Sequence, residues 1–364
     1  MGNLESAINP YLVVALLWGV IIFFAASIAS LTIALGVHKR RMASLDLDVH
    51  LQMAAYGRAI TLIGHGDAVQ PPHITDFRSA CTWGAALTYM CHENECPPSV
   101  ALLEATRRSR AVALVVARLS VKDWGERFLA VTALGDFRLP ELFDMIILFA
   151  QTESHMLVFG NCLYAAAQSI SRPDDLRTLF DLVHSRPDIS SGYDEGMFRL
   201  AIQALRAVGT TPDSLAAALR TCLQLPGAAE QHLLALVQAI GKEKLTTFKD
   251  EMVAIVRHIG SARLTSTVMR AIHNMGLSDS IIPENIGVRD AMLNISAIRS
   301  AVTCGSDLVP LIGNELRSPD FNVRYAAAIT LTKLGDRGHE ELVNRRHGSD
   351  LYARDMASFA LTVE

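Results

Sequence analysis

Three cysteines and a histidine lie close together in the sequence and are the first candidates for chemistry. Cys81 is followed by Cys91, His92 and Cys96. Thiolates and imidazoles are the ligands that zinc prefers, so this group could hold a metal ion. However, Cys91 and Cys96 lack the close spacing of a zinc-binding pair, and no second pair follows. We therefore predict buried or incidental thiols here, with no metal and no cofactor.

The familiar catalytic motifs are missing from the sequence. It contains no GxSxG and no HExxH, since His339-Glu340 is not followed by a second histidine at the required spacing. Gly241-Lys242 lacks the upstream glycine that a phosphate-binding loop requires, and no GxGxxG follows a strand pattern. We therefore predict a protein that is not an enzyme, and assign no catalytic residue.

The composition favours helices as the elements that carry these residues. The chain has 364 residues, of which 50% are hydrophobic and only 6% aromatic, and Ala and Leu, both abundant, are good helix formers. The net charge of −4 is too small to indicate a polyanionic partner, so no nucleic acid is expected. The six cysteines lie in apolar helical patterns, which indicates reduced thiols in a reducing compartment.

The stretch from Tyr11 to Val37 is strongly apolar and contains no charged residue. As a helix it would be about 40 Å long, which exceeds the roughly 30 Å hydrocarbon core of a bilayer. It predicts a single transmembrane helix over residues 11–37, after a short external N-terminus at 1–10. A cleaved signal peptide is the alternative, but no basic segment precedes the apolar run, which is also too long for one.

Positive charge follows this predicted span directly, in the linker 38–44. The only charged side chain before the span is Glu5, whereas Lys39, Arg40 and Arg41 come after it. Positive residues flank the cytoplasmic end of a span, so we expect the N-terminus outside and the rest of the chain in the cytoplasm, on the inner membrane. The same three cations can also contact anionic lipid headgroups.

Two further surfaces could contact partners. One face of the predicted span carries small residues that would let a second transmembrane helix approach closely, although such residues are common in spans. These are Ala25, Ala26, Ala29 and Ser30. Farther along, a basic run could meet lipid, nucleic acid or an acidic partner, or be a solvated helix face whose acids lie elsewhere in the fold. It consists of Arg107, Arg108 and Arg110. The slightly acidic total charge disfavours nucleic acid.

Residues 45–120 show a helical but irregular pattern. One amphipathic segment lies near 49–64 and a second near 75–92, and a third begins after Pro97-Pro98. Terminal repeats are usually atypical because one of their faces has no neighbouring repeat to cover it. We therefore predict that these helices form a cap or degenerate repeats ahead of a more regular region at 121–364.

From about Lys122 a repeat is visible, in which apolar helices end in a glycine at intervals of about 29–38 residues. Each glycine is expected just beyond the helix, in the left-handed conformation that closes the last turn. These positions are Gly135, Gly209, Gly241, Gly276, Gly305 and Gly335, and Ser171 takes the place of a glycine between the first two. Prolines at 140, 173 and 212 mark the starts of the helices that follow.

The most regular unit begins with Ser318-Pro319-Asp320-Phe321-Asn322-Val323-Arg324-Tyr325 and continues through three alanines to Leu334-Gly335. It resembles the HEAT-repeat signature, in the variety also found in bilin-lyase-like arrays. Similar patterns surround Asp123 and Arg127, and Asp350 and Arg354. The resemblance implies an all-α fold in which an α-solenoid of HEAT-like helix pairs follows the transmembrane helix.

The same resemblance implies that the three Asp–Arg pairs are structural and connect neighbouring repeats. The position and spacing of these residues also favour a structural role. An acid is favoured at the N-terminus of a helix, and an opposite charge four residues later adds a few tenths of a kcal/mol.

Two functions are compatible with this sequence. A solenoid has an extended surface suited to another macromolecule, so we favour a membrane-anchored scaffold or adaptor that binds a protein partner. By architectural analogy the partner is an integral membrane complex, such as an envelope glycosyltransferase or export system. The alternative is an enzyme or ligand carrier on a HEAT-like frame, lyase-like, which would use Cys91, His92 and Cys96.

The predicted anchor can be tested by membrane extraction. About fifteen residues of Tyr11–Val37 are Leu, Ile, Val or Phe, and each favours insertion by roughly 0.3–0.6 kcal/mol. We expect the full chain to stay in the membrane pellet after an alkaline carbonate wash, and a chain without residues 1–41 to be released. Replacing Lys39, Arg40 and Arg41 by glutamine is the control, and should leave the full chain in the pellet. Release of the full chain by the wash would contradict the prediction.

Overall fold

The computed structural model describes residues 51–64, 73–93, 98–186, 194–224 and 230–363. In these ranges every regular element is a helix and no strand occurs, so the predicted all-α fold is confirmed. Within the same ranges no helix is long and apolar enough to cross a membrane. The predicted span at 11–37, its small-residue face and its basic linker lie outside the described residues.

The chain divides into two compact units, with a boundary near residue 111. The described helices of the first unit are α1 (51–64), α2 (Phe77–Glu93) and α3 (Val100–Arg108), in agreement with the predicted segments. Its core is built around Trp83, whose Nε1 donates a hydrogen bond of 3.1 Å to Thr106 Oγ1. The ring of Tyr56 meets the Trp83 ring edge-on, with centroids 5.5 Å apart. The buried indole N–H is therefore satisfied within the unit.

The second unit contains the remaining helices. They are α4 (Ala111–Val116, at the boundary), α5 (Trp124–Phe137), α6 (Phe143–Thr152), α7 (Met156–Ser169), α8 (Pro173–Ser185), α9 (Asp194–Ala207), α10 (Pro212–Leu223), α11 (Glu230–Lys242), α12 (Lys249–Ile259), α13 (Ala262–Asn274), α14 (Ile281–Glu284), α15 (Ala291–Ser300), α16 (Val309–Glu315), α17 (Phe321–Thr332), α18 (Gly335–Arg346) and α19 (Leu351–Val363).

These helices stack in order along the second unit. The odd-numbered helices from α5 to α19 form a row in which each packs against the next. In a second row, α6 packs on α8 and α8 on α10, and farther along α16 packs on α18. Each of the helices from α7 to α17 in the odd row is thus packed between two others of that row, as in stacked repeats. This stacking is consistent with the predicted solenoid.

Several helices begin at the predicted capping residues. Pro173 and Pro212 are the first residues of α8 and α10, where a proline loses no hydrogen bond because the first N–H groups of a helix have no partner within it. Thr211 Oγ1 accepts a hydrogen bond of 3.3 Å from Ser214 N at the start of α10. Asp175 Oδ2 accepts one of 2.9 Å from Arg172 N at the start of α8. The sequence signals for these helix starts were therefore correct.

The glycine prediction was right at two positions, partly right at two and wrong at two. Gly209 and Gly276 have positive φ angles just beyond α9 and α13. Gly305 and Gly335 also have positive φ, but Gly305 has ψ −175°, outside the left-handed helical region, and Gly335 is the first residue of α18. In contrast, Gly135 and Gly241 lie inside α5 and α11. The left-handed residues that follow these two helices are Arg138, with φ 51°, and Lys244, with φ 53°.

Helix packing explains the two misplaced glycines. A Cβ atom at Gly135 would lie 2.7 Å from the Ala165 Cα of α7, and one at Gly241 would lie 2.6 Å from the Ala271 Cα of α13. These distances are far below van der Waals contact. Glycine is required at both positions so that neighbouring helices of the odd row can approach closely.

A single added methyl group tests this close approach. Gly241→Ala should lower the free energy of unfolding by about 1–3 kcal/mol, since overpacking outweighs the roughly 1 kcal/mol that alanine gains in a helix. Gly57→Ala in α1 is the matched control, because its Cβ would meet only the Met90 sulphur, at 3.9 Å, and it should not destabilise. Denaturant titration measures both. Equal stability of the two variants would show that the α11–α13 contact tolerates a Cβ.

Candidate protein-interaction surface

Four large aromatic side chains are exposed together on α17 and α19. Phe321 is 59% exposed, Tyr325 39%, Tyr352 53% and Phe359 42%. The Tyr325 ring centroid lies 6.3 Å from that of Phe321 and 5.9 Å from that of Phe359. With Arg324 between them, these residues line an open pocket of about 450 Å³. We call Phe321, Arg324, Tyr325, Tyr352 and Phe359 the aromatic surface.

Helix periodicity places these rings on one side of the two helices. Phe321 and Tyr325 are four residues apart on α17, and Tyr352 and Phe359 are seven apart on α19, so each pair shares a helix face. The opposite side of α17 is buried through Val323 and Ala326–Ala328. The aromatic rings are therefore not needed to fill the core of this unit.

The Arg324 guanidinium is held in place at the centre of the aromatic surface. Its Nη1 donates hydrogen bonds of 2.7 Å to Ser318 O and 2.9 Å to Pro319 O. The guanidinium carbon lies 4.5 Å from the Tyr352 ring centroid and 5.7 Å from that of Phe321, within cation–π range. This arrangement fixes a positive charge among exposed aromatic rings.

Arg127 occupies the corresponding position on α5 and has the same backbone contacts. Its Nη1 donates to Val121 O at 3.0 Å and Lys122 O at 2.8 Å. Unlike Arg324, it also binds a carboxylate, since its Nε and Nη2 donate to Glu153 at 2.8 and 3.1 Å. The Glu153 side chain is buried, and it also accepts a hydrogen bond of 2.8 Å from His155 N. Arg127 thus ties α5 to the turn between α6 and α7.

The ion pairs expected within the three Asp–Arg motifs do not form. In the described residues, none of Asp123–Arg127, Asp320–Arg324 and Asp350–Arg354 makes a contact within 4.0 Å. Each aspartate instead accepts backbone N–H groups of its own helix start, as Asp320 Oδ1 does from Asn322 N at 2.7 Å and Asp350 Oδ1 from Ala353 N at 2.9 Å. Capping turns the carboxylate away from the arginine, because the unpaired N–H groups lie at the helix end. Arg354 approaches Asp355, at 4.0 Å.

The basic run near residue 108 lies at the end of α3 and pairs locally. Glu104 approaches Arg107 at 3.6 Å and Arg108 at 3.0 Å, so the acid lies on the same helix and not elsewhere in the fold. Arg110 is exposed in the bend that follows. This pairing leaves less positive charge here than the sequence suggests. The other predicted cations, Lys39, Arg40 and Arg41, lie outside the described residues.

The cysteine group is described only in part. On α2, Cys81 is half-buried and Cys91 is buried, whereas Cys96 lies outside the described residues, as does the side chain of His92. Among the described side chains, no group of three His, Cys, Asp or Glu could hold a metal ion.

Two other cysteines are buried in the second unit. Burial raises the pKa of Cys222 to about 12 and also raises the pKa of Cys162. Both are therefore neutral, weakly nucleophilic thiols at neutral pH.

A second open pocket lies in the first unit, between α1 and α2. Its volume is about 790 Å³ and its lining is mostly apolar, with Met53, Leu62, Tyr89 and Met90, and Arg58 as its charged residue. It lacks a cluster of aromatic rings around a fixed cation. Aromatic residues and arginine are the types that dominate binding energy at protein interfaces, so the aromatic surface is the stronger candidate.

No protein-family model matches the chain, and no curated protein matches it. The HEAT resemblance therefore stays a prediction, and function has to be inferred from the residues themselves. The aromatic surface was not predicted from the sequence, although Phe321, Arg324 and Tyr325 lie within the repeat motif. Aromatic residues directly after a capping aspartate and again four positions later were the available signal, because these positions share a helix face.

The Arg127–Glu153 contact predicts how stability depends on pH. Burial alone raises the pKa of Glu153, but the hydrogen bonds from Arg127 and from His155 N outweigh burial and hold the pKa below its usual range. A lowered pKa in the folded state stabilises the protein above the unfolded value of about 4.3. This stabilisation is lost as the pH falls through the folded pKa.

Glu153→Gln should lower the free energy of unfolding at pH 7 by about 1–3 kcal/mol and flatten its decline below about pH 4.3. Denaturant titrations between neutral and acid pH measure both effects. Glu104→Gln is the control, because Glu104 is an exposed partner of Arg108 and should change stability by less than about 0.5 kcal/mol. An unchanged pH slope in Glu153→Gln would contradict the prediction.

Proposed function

We propose that this protein is a scaffold or adaptor without catalytic activity, which binds a protein partner through the aromatic surface. The observation that carries the proposal is the cluster of four exposed aromatic rings around a fixed guanidinium on α17 and α19. Interfaces are enriched in aromatic residues and arginine relative to the rest of a protein surface. A few such residues account for most of the binding energy when a partner covers them.

The aromatic surface is preorganised for binding. Its residues lie on two packed helices rather than on a loop, and Arg324 is already bound to two carbonyl oxygens. Aromatic side chains have only two rotatable bonds, so little conformational entropy is lost when a partner covers them. Phe321 and Tyr352 also pack against the guanidinium before any partner arrives. These features favour a specific docking surface over accidental exposure.

The remaining architecture supplies the setting of the proposal. The stacked helices would form the α-solenoid that the HEAT resemblance implies, a frame suited to presenting a binding surface. The apolar stretch Tyr11–Val37 would anchor this frame in the inner membrane with the solenoid in the cytoplasm. The partner would then be an integral membrane protein or complex, with an envelope glycosyltransferase or export system as the analogy. Contacts through Ala25 and Ala29 in the span would add to this association.

The second hypothesis, an enzyme or ligand carrier on the same frame, differs in its requirement for a reactive thiol. It would place chemistry near Cys91 and Cys96 rather than on α17 and α19. The aromatic surface has no role in that hypothesis. Variants of this surface therefore discriminate between the two functions.

The proposal is tested by cross-linking in cells followed by identification of the captured proteins. The wild-type chain should capture a defined partner, and the double variant Tyr325→Ala, Phe359→Ala should reduce its recovery about tenfold or more, as expected when interface hot spots are truncated. Leu148→Ala is the control, since Leu148 is an exposed apolar residue of α6 and should change nothing. Unfolding midpoints establish that the variants fold. Undiminished recovery of the same partner by a folded double variant would refute the proposal.

A further inference from the structure

Arg127 and Arg324 bind equivalent backbone carbonyl oxygens but differ at the edge of the guanidinium that carries Nε and Nη2, here called the outer edge. Arg127 donates Nη1 to two carbonyl oxygens and presents Nε and Nη2 to the Glu153 carboxylate. Arg324 donates Nη1 to the two equivalent carbonyl oxygens. In the described part of the chain, no carboxylate lies within 4.0 Å of the Arg324 guanidinium, and its Nε and Nη2 donate to no protein acceptor. Its outer edge is therefore available to a ligand.

The repeat itself explains why this carboxylate is missing. Glu153 precedes the first residue of α7, Met156, by three positions. Gly348 precedes the first residue of α19, Leu351, by the same three positions. Glycine thus stands where the earlier repeat has the glutamate that binds its arginine. The later repeat has the arginine and its backbone contacts, but at the position of Glu153 it has no side chain that could accept hydrogen bonds from Nε and Nη2.

The surroundings define the ligand that would complete this site. The planar edge of a guanidinium matches a carboxylate, with two parallel N–H donors to two oxygens. Tyr325 and Phe359 are exposed and line the same pocket as Arg324, so they offer apolar contacts to residues that flank the carboxylate. Asp355 lines the same pocket and would repel a ligand with many negative charges. This combination fits one carboxylate in an otherwise apolar segment, and disfavours a nucleic acid or a lipid surface.

We infer that Arg324 binds the single aspartate or glutamate side chain of an otherwise apolar peptide segment, whose neighbouring apolar side chains are seated on the aromatic surface. The inference rests on the proposed function, because it names the chemistry of the partner that this surface takes. The peptide carboxylate would accept hydrogen bonds from Nε and Nη2 of Arg324, as the Glu153 carboxylate does from Arg127. Charge complementarity then decides which apolar segments bind.

Selection of short random peptides on the full-length chain, purified in mild detergent, tests the inference. The selected peptides should be enriched in Asp or Glu next to apolar residues. Exchange of the acidic residue for its amide should weaken binding about tenfold to hundredfold, as expected for a charge-assisted hydrogen-bonded pair. With Arg324→Met the acidic peptide should bind as weakly as its amide counterpart, because the two changes remove the same contact.

Gly348→Glu provides a variant that keeps Arg324. The introduced carboxylate would compete for the guanidinium, so acidic peptides should bind about tenfold more weakly while the amide peptides are unaffected. A Cβ here would lie 3.2 Å from Arg345 O, a contact that a small backbone shift relieves, and the unfolding midpoint checks this. Arg317→Met is the matched control, an exposed arginine just before α17, and should leave peptide binding unchanged.

The outcomes separate the inference from the proposed function. Peptides that depend on Tyr325 and Phe359 but show no acidic preference would overturn the inference and leave the protein-binding surface intact. Peptides that ignore both residues would overturn the proposed function as well. Phosphatidylglycerol vesicles that bind wild type but not Arg324→Met, with no acidic peptide selected, would assign the guanidinium to lipid and overturn the peptide assignment.

Discussion

The close side-by-side packing of consecutive odd-numbered helices is the constraint on which the second unit depends. At two places the helices approach so closely that only glycine fits: Gly135 against Ala165, and Gly241 against Ala271. Both are glycine–alanine contacts between one odd helix and the next, in different parts of the row. Such contacts set the spacing of the row, and with it the positions of the helix starts. Because interiors are close-packed and transmit strain, an error in this spacing would move every surface built on neighbouring helices, including the aromatic surface shared by α17 and α19.

The same arginine-to-carbonyl contact occurs at two repeats, with different neighbours in each. An arginine at the start of α5 and another at the start of α17 bind the carbonyl oxygens that precede their helices. In the first repeat a buried glutamate completes the arginine's hydrogen bonds, so the contact contributes to stability. In the second, glycine replaces the glutamate and aromatic rings surround the guanidinium. The proposed binding surface thus differs from the structural motif at α5 in lacking one internal partner, while the arginine keeps the same backbone contacts.

The exposure of the aromatic surface fits the proposed role. Apolar rings in water are unfavourable, and these rings contribute little to the core because the opposite side of α17 already fills it. Their exposure is explained if a partner covers them. A rigid frame reduces the entropy lost on binding, and an anchor in the membrane would raise the local concentration of a partner held in the same bilayer. The stacked helices are thus compatible with the proposed function, in which the predicted anchor and the aromatic surface together would hold another protein in place.

The sequence by itself determined the helical fold and many of the helix starts. These depend on local physics: the periodicity of apolar residues, prolines at first positions, and capping side chains such as Thr211 and Asp320. It also marked Arg324 as a repeated residue. The tertiary structure alone decided that Gly135 and Gly241 lie inside helices, that the aspartates cap rather than pair with their arginines, and that Arg324 lacks the carboxylate that Arg127 has. Each of these depends on what a neighbouring helix or turn brings within a few ångströms, and spacing along a single helix carries no information about such neighbours.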